Sequence, residues 1–240
     1  MGDRFLTRKQ TRERRKSQTC KVFEMKIDQS KLSDTINHHL HKLFIEAKWF
    51  YNYVLSNQNI NDADTTLTIV PVKVGDIFEQ RELSVLKSHM KQGLRVRAFN
   101  SCKSLKTLKQ NGHKIGRLKF KKRVDSIMLQ EYQGSFGLNF KKSRIRIQGL
   151  KPWLRVTGME QITPDMEIAN AHLVRKPSGF YLHVTTYQTK EEKHVPDQSI
   201  GIDFGCDTQL TFSNGIRLEF QVPPTKRLKR LDRKINKKKN

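Results

Sequence analysis

The chain has 240 residues, enough for one large or two modest domains that each bury a core. With 47 Lys and Arg against 23 Asp and Glu, its formal net charge is +24, and we expect a polyanion as its partner, because neutralised phosphates release counterions. No apolar run approaches the roughly 20 residues of a membrane span, so we expect no membrane partner. Cys20, Cys102 and Cys206 are widely spaced and form neither a disulfide framework nor a paired-cysteine zinc site, which predicts a reducing, cytoplasmic location.

The positive charge is concentrated in two parts of the chain. Residues 101–160 carry 15 Lys and Arg against 3 Asp and Glu, and residues 223–240 carry 9 against 1. Residues 161–222 are acidic, with 5 Lys and Arg against 8 Asp and Glu. The two basic parts are therefore the predicted polyanion-binding surfaces.

The first predicted elements are a strand and a helix. Residues 1–19 are polar and mostly basic, and we expect them to be flexible. The alternation of apolar and charged residues over Cys20–Ile27 predicts a strand, and Ser33 is a suitable N-cap for a helix that runs to about Leu55. Three histidines on this helix, His38, His39 and His41, do not share one face, so a solvated helix is the favoured interpretation over a metal site.

A loop and a second helix follow. Residues 56–76 are rich in Asn, Asp and Thr, which indicates a loop with room for a short strand over 67–72. Apolar residues at helical spacing predict a helix over 79–109, with Gly93 as a point of weakness and Asn111-Gly112 as its end.

From Gly116 onward the hydrophobic period changes to that of short strands. Apolar residues cluster at 118–120, 127–129, 136–140, 145–147, 153–156, 168–174 and 181–187, separated by turn residues. Short strands at this spacing predict a small barrel or sandwich.

Basic side chains at the predicted outward positions of these strands are candidate phosphate contacts: Lys119, Lys121, Lys122, Arg123, Lys141, Lys142, Arg144 and Arg146. Phe120, Phe140 and Trp153 lie among them. Such interleaving is typical of a groove that tracks phosphates and stacks bases. The alternative interpretation, which we favour for most of the three aromatics, is that they belong to the core.

The segment from Ser199 to Gly215 predicts a buried strand that ends in Asp203, then a glycine turn and a hairpin. Asn214-Gly215 is a type I′ turn signal, because both central positions of that turn need positive φ. A carboxylate at the end of a core strand is a candidate metal ligand, and a surface aspartate is the alternative. After Pro223-Pro224 we predict a basic helix, either a phosphate-binding strip or a frayed tail.

Four segments of the chain form an ordered set of motifs. They are Lys48–Leu55 with its aromatic-Asn-x-x-Leu pattern, Leu94–Phe99 through Gly116–Arg123 with a Gly-x-x-x-Phe-basic run, Glu167–Ile168 through Gly179–Leu182, and Ile200–Gly205 through Asn214-Gly215. Taken in this order, the four segments resemble the N-terminal part of the TnpB proteins, the OrfB-type proteins of bacterial insertion sequences related to compact type V CRISPR nucleases. The similarity covers most of the chain.

The resemblance implies an α+β multi-domain fold with three parts. The first is a small wedge-like or OB-like β-barrel over 20–30 and 112–190, and the second is a helical recognition insert over 31–111. The third, over 198–240, is the incomplete beginning of an RNase H-like (RuvC) nuclease domain.

For function, the resemblance implies binding of a guide-type RNA, pairing with double-stranded target DNA, and magnesium-dependent DNA cleavage. Asp203 matches the first metal-binding catalytic carboxylate. The basic helix that follows supplies further candidate nucleic-acid contacts, Lys226, Arg227, Lys229 and Arg230.

The later motifs of the family, a catalytic Glu, a paired-cysteine zinc module and a final catalytic Asp, are not in this sequence. A two-ion centre needs several carboxylates. We therefore expect a binding half that does not cleave unless a second polypeptide, a C-terminal nuclease half, supplies the remaining carboxylates. The alternatives are a basic RNA-binding protein that uses no guide, and a fragment of an actin/Hsp70-like ATPase, whose first phosphate loop shares the Gly-Ile-Asp-x-Gly pattern.

Overall fold

The computed structural model describes residues 8–190, 200–205, 209–219 and 225–239, and these described residues fall into two compact units, divided after Lys190. Within those residues there are four α-helices, α1 (Arg8–Lys16), α2 (Asp34–Ser56), α3 (Ser88–Gln110) and α4 (Lys226–Lys239). The strands are β1 (Gln18–Ile27), β2 (Ile69–Val74), β3 (Ile77–Glu82), β4 (Ser126–Leu129), β5 (Phe136–Asn139), β6 (Arg144–Ile147), β7 (Leu154–Thr157), β8 (Glu167–Lys176), β9 (Gly179–Thr189), β10 (Ile202–Asp203), β11 (Leu210–Phe212) and β12 (Arg217–Leu218).

Seven strands of the first unit form one antiparallel sheet in the order β4-β8-β9-β1-β7-β6-β5, which curls into a nearly closed barrel. The two strands at the ends of this order, β4 and β5, are consecutive in sequence, and Tyr132 and Phe136 form an isolated bridge beside them. Period-2 alternation holds in the short strands. In β6, Ile145 and Ile147 are buried while Arg144 and Arg146 are exposed. The prediction of an α+β fold with a small barrel is therefore confirmed at this level.

Helix α2 begins where the sequence predicts. The Ser33 Oγ accepts a hydrogen bond from the Ile36 N–H at 3.4 Å, which satisfies one of the free N–H groups of the first turn. The apolar stripe of α2 packs on the barrel, where the Phe44 and Phe180 rings stack with centroids 5.9 Å apart. The helix therefore covers one side of the barrel core.

Helix α3 starts nine residues later than its apolar spacing predicts, because residues 77–82 pair with β2 as a hairpin instead. The reason is a tertiary contact. The fully buried Glu46 carboxylate of α2 accepts hydrogen bonds from the N–H groups of Ser84, Val85 and Leu86 at 2.8–3.0 Å. These N–H groups are therefore not available to a helix that begins at 79.

The basic N-terminal region, expected to be flexible, includes the described helix α1. Arg14 and Arg15 pair with Glu167 at 2.9 and 3.2 Å, and the Arg15 guanidinium lies 4.2 Å from the centre of the Tyr187 ring. Such charged and cation–π contacts with β8 and β9 stabilise a polar helix that has no apolar stripe of its own.

The second unit, taken by itself, contains the antiparallel sheet β10-β11-β12 and helix α4. The predicted hairpin is present between β11 and β12, but the type I′ turn is wrong. Only Gly215 has positive φ, the Gly215 N–H donates to the Phe212 carbonyl, and the Asn214 side chain accepts from the Ile216 N–H. A longer loop with one left-handed glycine therefore closes the hairpin.

Among the described residues, no helix combines the length and the apolar character that crossing a bilayer requires.

Candidate nucleic-acid interface

A pocket of about 530 Å³, which we call the aromatic groove, lies between α2, the β2–β3 hairpin and the segment that leads into β4. Its lining combines four aromatic rings with four lysines: Trp49, Tyr53, Phe78, Phe120, Lys48, Lys73, Lys121 and Lys122. Of the described residues that line it, none is an Asp or Glu. The groove therefore combines the apolar surfaces of aromatic side chains with the positive charges of lysines.

Asn52 of α2 holds one wall of this groove in place. Its side chain donates to the Lys121 carbonyl at 3.0 Å and accepts from the Lys121 N–H at 2.8 Å. The Lys121 ammonium lies 4.7 Å from the centre of the Tyr51 ring. Burial lowers the pKa of Lys121, and the positive charge of the nearby Arg97 lowers it further. The predicted strand at 118–120 does not form, so this irregular backbone is fixed by side-chain contacts with α2.

A second pocket of about 600 Å³, which we call the cationic pocket, shares Lys122 with the aromatic groove. Four cations line it, namely Lys122, Arg123, Arg175 and Lys176. Two described carboxylates pair with these cations. Asp125 accepts hydrogen bonds from Arg123 at 2.5 Å and from Arg175 at 3.0 Å, and Glu24 pairs with Lys176. Burial acts to raise the pKa of Asp125, but the hydrogen bonds from Arg123 and Arg175 outweigh it and lower that pKa. Four cations against two carboxylates leave a local excess of positive charge.

The other predicted basic residues of the barrel lie on and beside β6. Lys141 and Lys142 form a single 3₁₀ turn before it, and both are exposed. Arg146 donates to the Gln133 carbonyl at 2.8 Å, with its guanidinium 5.9 Å from the centre of the Trp153 ring.

Arg144 lies directly opposite Arg155 on β7, and both line a pocket of about 460 Å³ together with Lys31 and Trp153. Like charges opposite each other on a sheet are destabilising, and a bound anion would relieve that repulsion. This is a second basic surface of the same unit.

The three aromatics interleaved with the predicted basic residues are exposed, which contradicts the interpretation that most of them belong to the core. Phe120 is 63% exposed, Phe140 46% and Trp153 39%. The core of the barrel is filled instead by aliphatic side chains together with Phe136 and Phe180. These aromatics are therefore available as ring surface next to the cations.

Some residues that line these pockets come from elements distant in the chain and were not predicted. Arg175 and Lys176 stand on β8, and Phe78 and Lys73 come from a hairpin that was not predicted. Trp49 and Tyr53 could have been found, since an aromatic pair at i and i+4 marks one face of a helix.

In the second unit, Asp203 is exposed at the end of β10 and pairs in register with Thr211. The prediction of a buried strand is wrong for the described residues: Ile200, Ile202 and Phe204 are all more than half exposed, because three short strands bury little surface by themselves. No group of three or more His, Cys, Asp or Glu side chains in the described part of the chain is placed to hold a metal ion. One exposed carboxylate does not fit a two-magnesium centre.

The remaining predicted contacts lie on α4, where Lys226, Arg227, Lys229 and Arg230 are exposed. The helix begins with a capping contact, in which Thr225 Oγ accepts from the Leu228 N–H at 3.3 Å. Its apolar residues Leu228, Leu231 and Ile235 are also exposed. The helix thus presents a basic and an apolar stripe.

Comparison with models of known protein families and with curated proteins finds no match to this chain.

Proposed function

We propose that the chain binds RNA through the first unit, with the aromatic groove and the cationic pocket as its principal contact surface. The observation that carries this proposal is that the two pockets share Lys122, so ring surface and excess positive charge adjoin each other. Proteins that bind single strands combine these two features, because rings stack on bases while cations follow the backbone. The net charge of +24 supports a polyanion partner.

The TnpB-like relationship remains part of this proposal. It is supported by the order of the elements: one barrel strand, then α2 and α3, then six further barrel strands, then a small sheet with Asp203 and a basic helix. That order agrees with a wedge-like barrel interrupted by a helical insert and followed by an RNase H-like beginning. On this proposal the RNA is a guide, and double-stranded DNA that pairs with it is the target.

The described residues do not assign cleavage to this chain. Asp203 is its candidate catalytic carboxylate, and a magnesium centre at that position needs more carboxylates than the one it offers. The role that remains for this chain is to bind and position the nucleic acid.

The test begins with the RNA that co-purifies with the chain, which is sequenced. A single defined RNA species supports a guide, whereas a broad mixture supports a basic RNA-binding protein without one. The affinity of a fluorescent RNA is then measured by anisotropy at several salt concentrations. We expect log K to fall steeply with log salt, and a flat response would refute the proposal.

Charge-neutralised variants locate the contact surface. Lys121→Gln with Lys122→Gln should lower the slope of log K against log salt by about 0.7 for each phosphate that the variant no longer neutralises. The matched control, Lys106→Gln with Lys109→Gln, changes the net charge equally on the exposed end of α3. Equal effects of the two pairs would place the binding surface elsewhere. Incubation with magnesium and target DNA adds a cleavage readout, and cutting that is abolished in Asp203→Ala would overturn the view that this chain does not cleave alone.

A further inference from the structure

Two aromatic side chains of the aromatic groove are largely exposed to solvent. Phe78 on β3 is 70% exposed and Phe120 is 63% exposed, although they come from segments more than 40 positions apart and line one pocket. Trp49 and Tyr53, half-buried on adjacent turns of α2, line the same pocket. Two phenylalanines left largely in water beside two further rings indicate a surface that a flat ligand covers.

The charges around the groove define the class of that ligand. Lys48, Lys73 and Lys121 line it from three different elements, and the Arg81 guanidinium, which pairs with Glu79, lies 5.8 Å from the centre of the Trp49 ring. The described lining residues include no Asp or Glu, and the nearby Glu79 carboxylate is paired with Arg81, so an anionic ligand meets an excess of positive charge there. A base with its phosphates has this combination of a flat apolar face and negative charge.

We propose that the aromatic groove binds an unpaired base of an RNA strand, while the cationic pocket holds a neighbouring phosphate. This inference deepens the proposed RNA-binding function and rests on it. A base inside a duplex has its faces covered by its neighbours and offers only its edges, so aromatic rings engage a base that is unstacked and unpaired. Lys122, which lines both pockets, lies where the base and the neighbouring phosphate would meet.

The experiment compares a single-stranded RNA with a fully paired RNA duplex of equal length, each carrying the fluorescent base analogue 2-aminopurine. Affinity and fluorescence are measured in the same buffer with the full chain. We expect binding of the single strand to be at least about tenfold tighter, with a change in 2-aminopurine fluorescence on binding. Phe120→Ala should weaken affinity for the single strand about tenfold and leave the duplex affinity unchanged.

Two further variants keep this test sharp. Phe78→Ala removes a ring from the other wall of the groove and should reproduce the effect of Phe120→Ala. Phe99→Ala removes another exposed ring (42%), on α3, that does not line the groove, and it should change neither affinity. Circular dichroism verifies that all three variants fold.

The results separate the two proposals. If the chain binds neither RNA even at low salt, the proposed function fails and the inference fails with it. If it binds both with steep salt dependence but equally well, or if Phe120→Ala weakens both equally, RNA binding stands and the unpaired-base site is refuted.

Discussion

Replacing Asn52 by alanine tests whether the wall of the aromatic groove is fixed by α2. The substitution removes the two hydrogen bonds between this side chain and the backbone of Lys121. At about 1 kcal/mol each, these hydrogen bonds contribute about 2 kcal/mol to holding the segment. If only the held form binds RNA, their removal weakens binding by at most about 30-fold. The melting temperature should fall by at most about 8 °C, because 1 kcal/mol corresponds to about 2–4 °C in a unit of this size.

The matched control is Asn37→Ala, on the same helix at an exposed position. Both substitutions replace Asn by the better helix former, so the difference between them isolates the tether. Hydrogen exchange of residues 117–125 and RNA anisotropy are the measurements. Unchanged exchange in this segment of Asn52→Ala, or equally weakened affinity in both variants, would contradict the reasoning.

Three further predictions concern the first unit. Glu46→Ala should lower the free energy of unfolding, measured in urea, by about 3 kcal/mol or more, because it leaves the N–H groups before α3 without their acceptor. A decrease below about 0.5 kcal/mol would show that water replaces the carboxylate. Burial, with smaller contributions from Arg97 and His183, lowers the pKa of His172 from its ordinary 6.5. As the pH falls, the unfolded chain therefore takes up the proton first, so the stability should be full above about pH 6.5 and decrease below it. Melting curves at several pH values should show that His172→Gln reduces this decrease. Gly93→Val should lower the melting temperature, because a Cβ added at this position would lie only 3.2 Å from the Cβ of Met128. An unchanged melting temperature would show that α3 can move away from β4.

The helix α2 and most barrel strands could be predicted because their signals are local. Ser33 caps a stripe of apolar residues at helical spacing, and the alternation in β6 requires no partner to be recognised. The start of α3 could not be predicted, since Leu83 and Leu86 continue its apolar spacing. The N–H groups of Val85 and Leu86 instead donate hydrogen bonds to Glu46, some 40 residues away. The exposure of Phe120 could not be predicted either, because a basic residue followed by an aromatic one occurs both in core strands and in binding grooves.

The sequence by itself determined the charge of the chain, the α+β composition and the approximate places of most strands. These properties follow from composition and from periods of two and 3.6 residues, which act over a few neighbours. Only the tertiary structure decided which aromatic and basic side chains meet, because the aromatic groove joins α2, a hairpin and an irregular segment that contact one another only after folding. Its wall depends on two hydrogen bonds between residues 69 positions apart, a distance over which no local pattern carries information.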